Sequence, residues 1–273
     1  MRVLIKVGGT LLENRESCRA IAQQLAAVAR DHELMVVHGG GKQVTEFLEE
    51  RGVRSRFVNG LRVSDDDVIG AVTKVVAGGV NKALVSALLS TDICALGVSG
   101  VDGRLTLAEQ LDPELGSVGK PTKTNAHLLS LLREAGYLPV VACIAADAAG
   151  NLLNVNADNM AVSCAIAWGT DRLLFLTDVP GVKNGGGDVI SDLDPSRIGQ
   201  LIRSGTASGG MRAKLEAALL ALEGCVKEVT IASGRESGTC ERLFSGEPLG
   251  SRIRIKQTPA PEPFKTLPSS QIE

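Results

Sequence analysis

The sequence predicts an α/β protein built on a mainly parallel open sheet covered by helices. Short apolar runs alternate with segments of helical period along most of the 273 residues. Only 3% of residues are aromatic while 44% are hydrophobic, so the core has to be built from Val, Leu, Ile and Ala, which suits buried parallel strands. Glycine clusters also close two of the apolar runs, where tight strand-to-helix turns need residues without a Cβ.

Residues 3–7 form the first apolar run, bounded by Gly8-Gly9. Residues 18–30 follow, with Ile21, Leu25 and Val28 at helical spacing. Residues 34–37 are a second run, ended by Gly39-Gly40-Gly41, and 44–51 read as helix. Further strands are expected at 93–98, 138–144, 173–177 and 229–232. Helical patterns fill 65–89, 125–135, 158–168 and 211–222. Such alternation implies right-handed crossovers between parallel strands. Residues 103–107 and 151–155 are less regular and read as hairpins on the edge of the first half. Gly169-Thr170-Asp171 marks a junction between a first lobe, 1–169, and a second, 170–256. Residues 257–273 contain Pro259, Pro261, Pro263 and Pro268 and read as a flexible tail without a core. No internal repeat is visible.

The formal net charge of -2 gives no reason to expect nucleic acid as a partner. The six cysteines form no C-x-x-C pair, so a zinc site is not expected. Cys94 and Cys143 lie in apolar runs and read as small buried hydrophobes, and reduced thiols place the chain in a cytoplasm. Its first residues begin a strand at once, without a signal-peptide layout. No stretch reads as the roughly 18 apolar residues that span a membrane.

The two glycine clusters could cradle an anion, since backbone N–H groups approach closely there and a helix start adds its positive end; alternatively they are plain turns. Two of them, at adjacent strand ends and with Lys6 beside one, favour the anion. Lys6 inside an apolar strand either faces a phosphate or lies at a solvated edge. Arg62 could pair with a carboxylate, while Ser64 and Asp65-Asp66-Asp67 read as a helix cap with its first-turn acids. Asn154, Asn156 and Asp158 share one side of an extended segment and either hold a ligand or cap the next helix. Asp178 contacts a nucleotide or shapes a turn. Lys214 sits in the first turns of a helix, a place that suits a lysine when an anion is near. Neither G-x-x-x-x-G-K-[ST] nor G-x-G-x-x-G is present; residues 116–121 imitate the former only superficially.

Together, Lys6-Val7-Gly8-Gly9, His38-Gly39-Gly40-Gly41, Asn59-Gly60-Leu61-Arg62-Val63, Asn154-Val155-Asn156-Ala157-Asp158, Leu176-Thr177-Asp178-Val179-Pro180-Gly181 and Gly210-Met211 with Lys214 resemble the amino acid kinase family, in its order. The resemblance implies a three-layer αβα sandwich, a first lobe that binds an acyl amino acid and dimerises, and a second that binds ATP. The implied reaction is ATP-dependent phosphorylation of the side-chain carboxylate of N-acetyl-L-glutamate, a step of arginine synthesis. Lys6 and Lys214 would stabilise the migrating phosphoryl group and Asp158 would orient them. Gly8, Gly9, Gly39 and Gly40 would hold its oxygens, Gly39 and Gly40 from the substrate side. Arg62 and Asn154 would bind the substrate and Asp178 would lie with the nucleotide. Mg²⁺ would arrive on the ATP, with no metal site of the chain's own. Arg212-Ala213 and Lys120 depart from the family pattern, and Lys120 leaves the acyl group less certain. The start at the first strand implies an arginine-insensitive homodimer. A kinase for another acyl amino acid or for a carrier-bound aminoadipate, and a nucleotide-binding module without catalysis, remain the alternatives.

Overall fold

A computed structural model describes residues 1–255; the proline-rich stretch expected to be a tail lies outside them. β1 (Arg2–Val7), β2 (Glu33–His38), β5 (Ala95–Ser99), β8 (Leu138–Ala142), β11 (Arg172–Thr177), β12 (Asp192–Leu193), β13 (Glu228–Ser233) and β14 (Ser251–Ile253) form one eight-stranded sheet, ordered β12-β14-β13-β11-β1-β2-β8-β5. Every neighbouring pair is parallel except β13–β14. The chain lays β2 beside β1, moves out to β5, fills the gap with β8, and returns to the far side of β1 with β11. β1 therefore sits where the order of strands reverses, the place at which open α/β sheets bind ligands. Both halves of the chain share this one sheet.

Alternation along the strands builds two cores. Leu4, Met35, Val37, Val141, Leu173 and Phe175 face one side. There they meet α2 (Gly41–Glu49), α5 (Ala157–Trp168), α6 (Pro195–Arg203) and α7 (Gly209–Glu223). Val3, Ile5, Val7, Leu34, Val36 and Leu174 face the other, against α1 (Arg15–Asp31) and α8 (Thr239–Phe244). α3 (Asp66–Leu89) serves both: Val68, Val72 and Val76 join the first core, Val80, Leu84 and Leu88 the second. The change falls in a π-helical stretch, Thr73–Val80, whose looser winding re-aims the apolar stripe. The helix is long and apolar enough to cross a membrane by length and composition, contrary to the sequence reading, yet half of its most apolar window is buried in the fold.

The two irregular segments are hairpins but not edges of the main sheet. β6 (Thr106–Gln110) pairs with β7 (Val118–Thr124), β9 (Ile144–Ala146) with β10 (Leu152–Val155), and the four close into a small barrel. The run expected at 138–144 is broken between β8 and β9 at Cys143. β3 (Phe57–Val58) and β4 (Leu61–Arg62) form a separate hairpin, and α4 (Ala126–Glu134) follows the barrel strands. Cys143 is buried as expected; Cys94 is exposed, because it lies in the turn leading into the edge strand β5 rather than within it.

Candidate active site

The two glycine turns meet at the carboxyl ends of β1 and β2. A Cβ built on Gly9 would stand 3.1 Å from the Gly40 nitrogen and Cα, so no side chain fits between them. Gly8 N–H donates to Leu176 O (2.9 Å) and Gly39 N–H to Val7 O (3.3 Å), so the sheet engages both. The N–H groups of Gly9 and Gly40 have no acceptor among the described residues. Gly40 also precedes α2, which has neither a side-chain cap nor an acid in its first turn. Of the four glycines singled out in the sequence, Gly9 and Gly40 present free amides, while Gly8 and Gly39 set their direction.

Lys6 points to the same face of β1 as Leu4, and β1 is central, so the solvated-edge alternative fails. Its ammonium lies 2.7 Å from Asp158 Oδ1, at an angle that leaves that oxygen without a well-aligned hydrogen bond. Lys214, from α7, donates to Asp158 Oδ2 at 3.0 Å. Lys6 and Asp158 are 7% and 5% exposed. Asp158 is in the first turn of α5, capped by Asn156, whose side chain accepts from the Asp158 and Asn159 amides. Burial pushes the Asp158 carboxyl upward, but the two ammonium groups outweigh it and hold the pKa below the ordinary value. The aspartate is thus an anion that aims two cations delivered by distant parts of the chain.

Arg62, 8% exposed, donates from Nη2 to Gly41 O and Thr45 Oγ1, both at 2.7 Å, reaches the Ser55 hydroxyl with Nη1, and lies over the Phe57 ring. It has no carboxylate partner among the described residues. Asn154 donates to Ser64 Oγ at 3.1 Å. Both side chains line a cavity of about 160 Å³ with the glycine turn after β2, Val72, Val76 and Cys143. Burial raises the Cys143 thiol to about 11, which keeps it a neutral wall. A larger hollow of about 790 Å³ lies between α1, α2 and α3, away from these charges.

Asp178 is exposed just beyond β11 and meets Thr177 Oγ1 (3.2 Å) and Arg235 (3.8 Å) rather than the lysines. Lys120 is an exposed residue of β7 and does not line the small cavity. Arg212 pairs on the surface with Glu216 at 2.8 Å and leaves Lys214 in register. Asp65, not Ser64, caps α3 by accepting from the Val68 amide. Ser64 instead receives Asn154, a role the sequence reading missed. The same reading quoted His38 without giving it a part and passed over Asn81. His38, 0% exposed, ends β2 with Nδ1 2.9 Å from Gly39 O and Nε2 3.0 Å from Asn81 Nδ2. The only local signal was a histidine at the end of an apolar strand just ahead of three glycines.

An acetylglutamate kinase of Solibacter usitatus (strain Ellin6076) is 51% identical over 254 residues, covering 93% of this chain and 99% of that protein. An acetylglutamate kinase of Roseobacter denitrificans is 41% identical, covering 92% and 88%. Among solved structures, an N-acetylglutamate synthase from Neisseria gonorrhoeae, complexed with coenzyme A and N-acetyl-glutamate, superposes with a TM-score of 0.84 at 22% identity, over 94% of this chain and 60% of that one. A Giardia carbamate kinase does so with a TM-score of 0.69 at 16% identity, over 93% and 98%; both share the fold. Residues 1–233 match the model of the amino acid kinase family, and the chain that carries these paired lysines and touching glycine turns belongs to that family.

Proposed function

We propose that the chain transfers the γ-phosphoryl group of ATP to the side-chain carboxylate of N-acetyl-L-glutamate, giving N-acetylglutamyl 5-phosphate for arginine biosynthesis. One observation carries this reading: Lys6 and Lys214, from opposite halves of the sequence, converge on a single buried carboxylate beside the meeting point of two glycine turns. Relatives named for this activity cover nearly the whole chain.

The acceptor carboxylate is already ionised at neutral pH, so no general base is required. Catalysis then consists of positioning and charge stabilisation. Lys6 and Lys214 neutralise charge on the migrating group, and Asp158 keeps both ammonium groups aimed. The free amides of Gly9 and Gly40 bind phosphoryl oxygens. Arg62, a buried cation with no carboxylate within ion-pair distance among the described residues, takes the substrate's α-carboxylate, with Asn154 beside it. Mg²⁺ would be carried on the ATP phosphates and would neutralise part of their charge; Asp158 is engaged by its two lysines. Residues 1–169 form the acyl-amino-acid lobe and 170–256 the ATP lobe, with Asp178 at the nucleotide's rim. The half-exposed edge strand β5 and the exposed Leu89 suit an isologous homodimer. We place the protein in the cytoplasm, away from membranes and nucleic acid.

The test is a hydroxylamine trap, which converts an acyl phosphate to a hydroxamate. ATP and N-acetyl-L-glutamate should give hydroxamate in step with ADP. No hydroxamate from this substrate but product from another acyl amino acid would reassign the substrate, and binding of ATP without turnover on any of a panel would overturn the assignment of an enzyme.

A further inference from the structure

Two fully buried polar side chains take no part in the reaction as derived above. His38 and Asn81 are 0% and 1% exposed. Asn81 comes from α3, 43 residues after His38. Burying an imidazole and a carboxamide costs free energy unless every polar atom is paired. Here every one is. Asn81 Nδ2 reaches both His38 Nε2 (3.0 Å) and Val140 O (2.9 Å), and its Oδ1 accepts from Lys82 Nζ at 3.1 Å. The amide is thereby fixed in orientation, with nitrogen toward the ring. His38 Nε2 must then accept, which puts the proton of the neutral ring on Nδ1 and makes Nδ1–H the donor to Gly39 O at 2.9 Å.

We infer that His38, held by Asn81, is a positioning residue for phosphoryl transfer, which fixes the peptide plane between Gly39 and Gly40 so that the Gly40 N–H faces the reacting group. The inference rests on the phosphoryl-transfer reading above. A trans peptide is planar, and its C=O and N–H point in opposite directions. When His38 draws the Gly39 carbonyl inward, the Gly40 N–H of the same plane turns outward, toward Gly9. Glycines on both sides leave that plane otherwise free to rotate. Gly39 N–H is tied to Val7 O, so the preceding plane is anchored as well. The ring touches neither substrate nor phosphate in this account and acts through the backbone.

Two conservative variants separate positioning from packing. In His38→Asn the side-chain amide occupies the place of Nδ1 and keeps a donor for Gly39 O. In His38→Gln it reaches the place of Nε2, keeps the contact with Asn81, and loses that donor. His38→Gln should lower kcat roughly 10²-fold, the effect of misplacing one preorganised donor, with the KM for the acyl amino acid changed less than about threefold. His38→Asn should recover turnover to within about tenfold of the unmodified chain. A second measurement needs no turnover: in ¹H–¹⁵N spectra of the ligand-free chain, the Gly40 amide should move in His38→Gln and stay near its original position in His38→Asn. Equal losses in the two variants, in step with their melting temperatures, or an unmoved Gly40 resonance in His38→Gln, would overturn the inference. If the unmodified chain itself gave no hydroxamate with any acyl amino acid, the functional reading would fall, and the Gly40 resonance would still decide whether His38 sets the turn.

Discussion

The two ends of the central sheet both gather opposite charges, to different effect. At the amino ends of the strands, Lys227 meets Asp171 (2.6 Å), Arg172 donates to Glu228 (2.9 Å) and Arg2 reaches Glu33 (3.3 Å). Two of these pairs are solvated, with the Lys227 side chain 77% and the Arg2 side chain 45% exposed; Arg172 and Glu228 are mostly buried, side by side on neighbouring strands. At the carboxyl ends, the Lys6, Asp158 and Lys214 side chains are only 9%, 6% and 17% exposed. Water screens the two exposed pairs and makes them nearly neutral for stability. The second set is desolvated, so its field acts at close to full strength on whatever anion enters. A short ion-pair distance therefore does not mark a functional centre; burial with cationic donors left over does.

Removing the buried cations should break this contrast most severely. Lys6→Ala and Lys214→Ala should each lower kcat roughly 10²-fold or more in the hydroxamate assay, with far-UV circular dichroism unchanged; near-normal turnover in either would remove that residue from the reaction. Acid should act next, through a group at the same end. Burial lowers the His38 pKa from 6.5 to about 4, and Lys6 and Lys82, the charged groups facing it from β1 and α3, push the same way against the Gly39 hydrogen bond. Across that window the unfolded chain binds the proton and the folded chain does not. Stability is therefore full above pH 6.5 and drains at about 1.4 kcal/mol per pH unit as pH falls to about 4, roughly 3 kcal/mol in all. Urea unfolding from pH 7 to 4 should show this slope, and His38→Asn should flatten it.

Arg62→Ala should raise the KM for the acyl amino acid about tenfold while kcat changes little, the signature of lost ground-state binding; a rise confined to the KM for ATP would move Arg62 to the nucleotide side. The smallest effect belongs to the solvated end. Lys227→Ala should change unfolding free energy by about 0.5 kcal/mol or less and leave turnover alone. A large loss there would erase the distinction between the two ends.

The same distinction explains what was legible in the sequence. β1, β2, β11 and β13 announce themselves because both their faces are buried, so their residues read as continuous apolar runs. β7, Val-Gly-Lys-Pro-Thr-Lys-Thr, does not, since it is a half-exposed barrel strand with little apolar character; for the same reason its hairpin could not be distinguished from an edge. Lys6, Asp158 and Lys214 each admitted an ordinary explanation, and only their ordered company pointed to chemistry. The pairing of His38 with Asn81 was invisible, because an asparagine inside a long apolar helix carries no mark of what it will meet across 43 residues. Which amides of Gly8, Gly9, Gly39 and Gly40 stay free depends on sheet hydrogen bonds, and composition does not reveal those.

β1 is the first strand of the chain, yet it finishes between β2 and β11. On a ribosome, residues 2–7 emerge well before 172–177 exist to close their second side. Lys6 rides on that strand and Lys214 on a helix made later still. A stalled or truncated translation product ending before α7 carries Lys6 and Asp158 without Lys214 and cannot commit ATP to an unstable acyl phosphate. Because β1 lies between β2 and β11 and the second lysine rides on α7, competence arrives only once residue 214 has been made and packed.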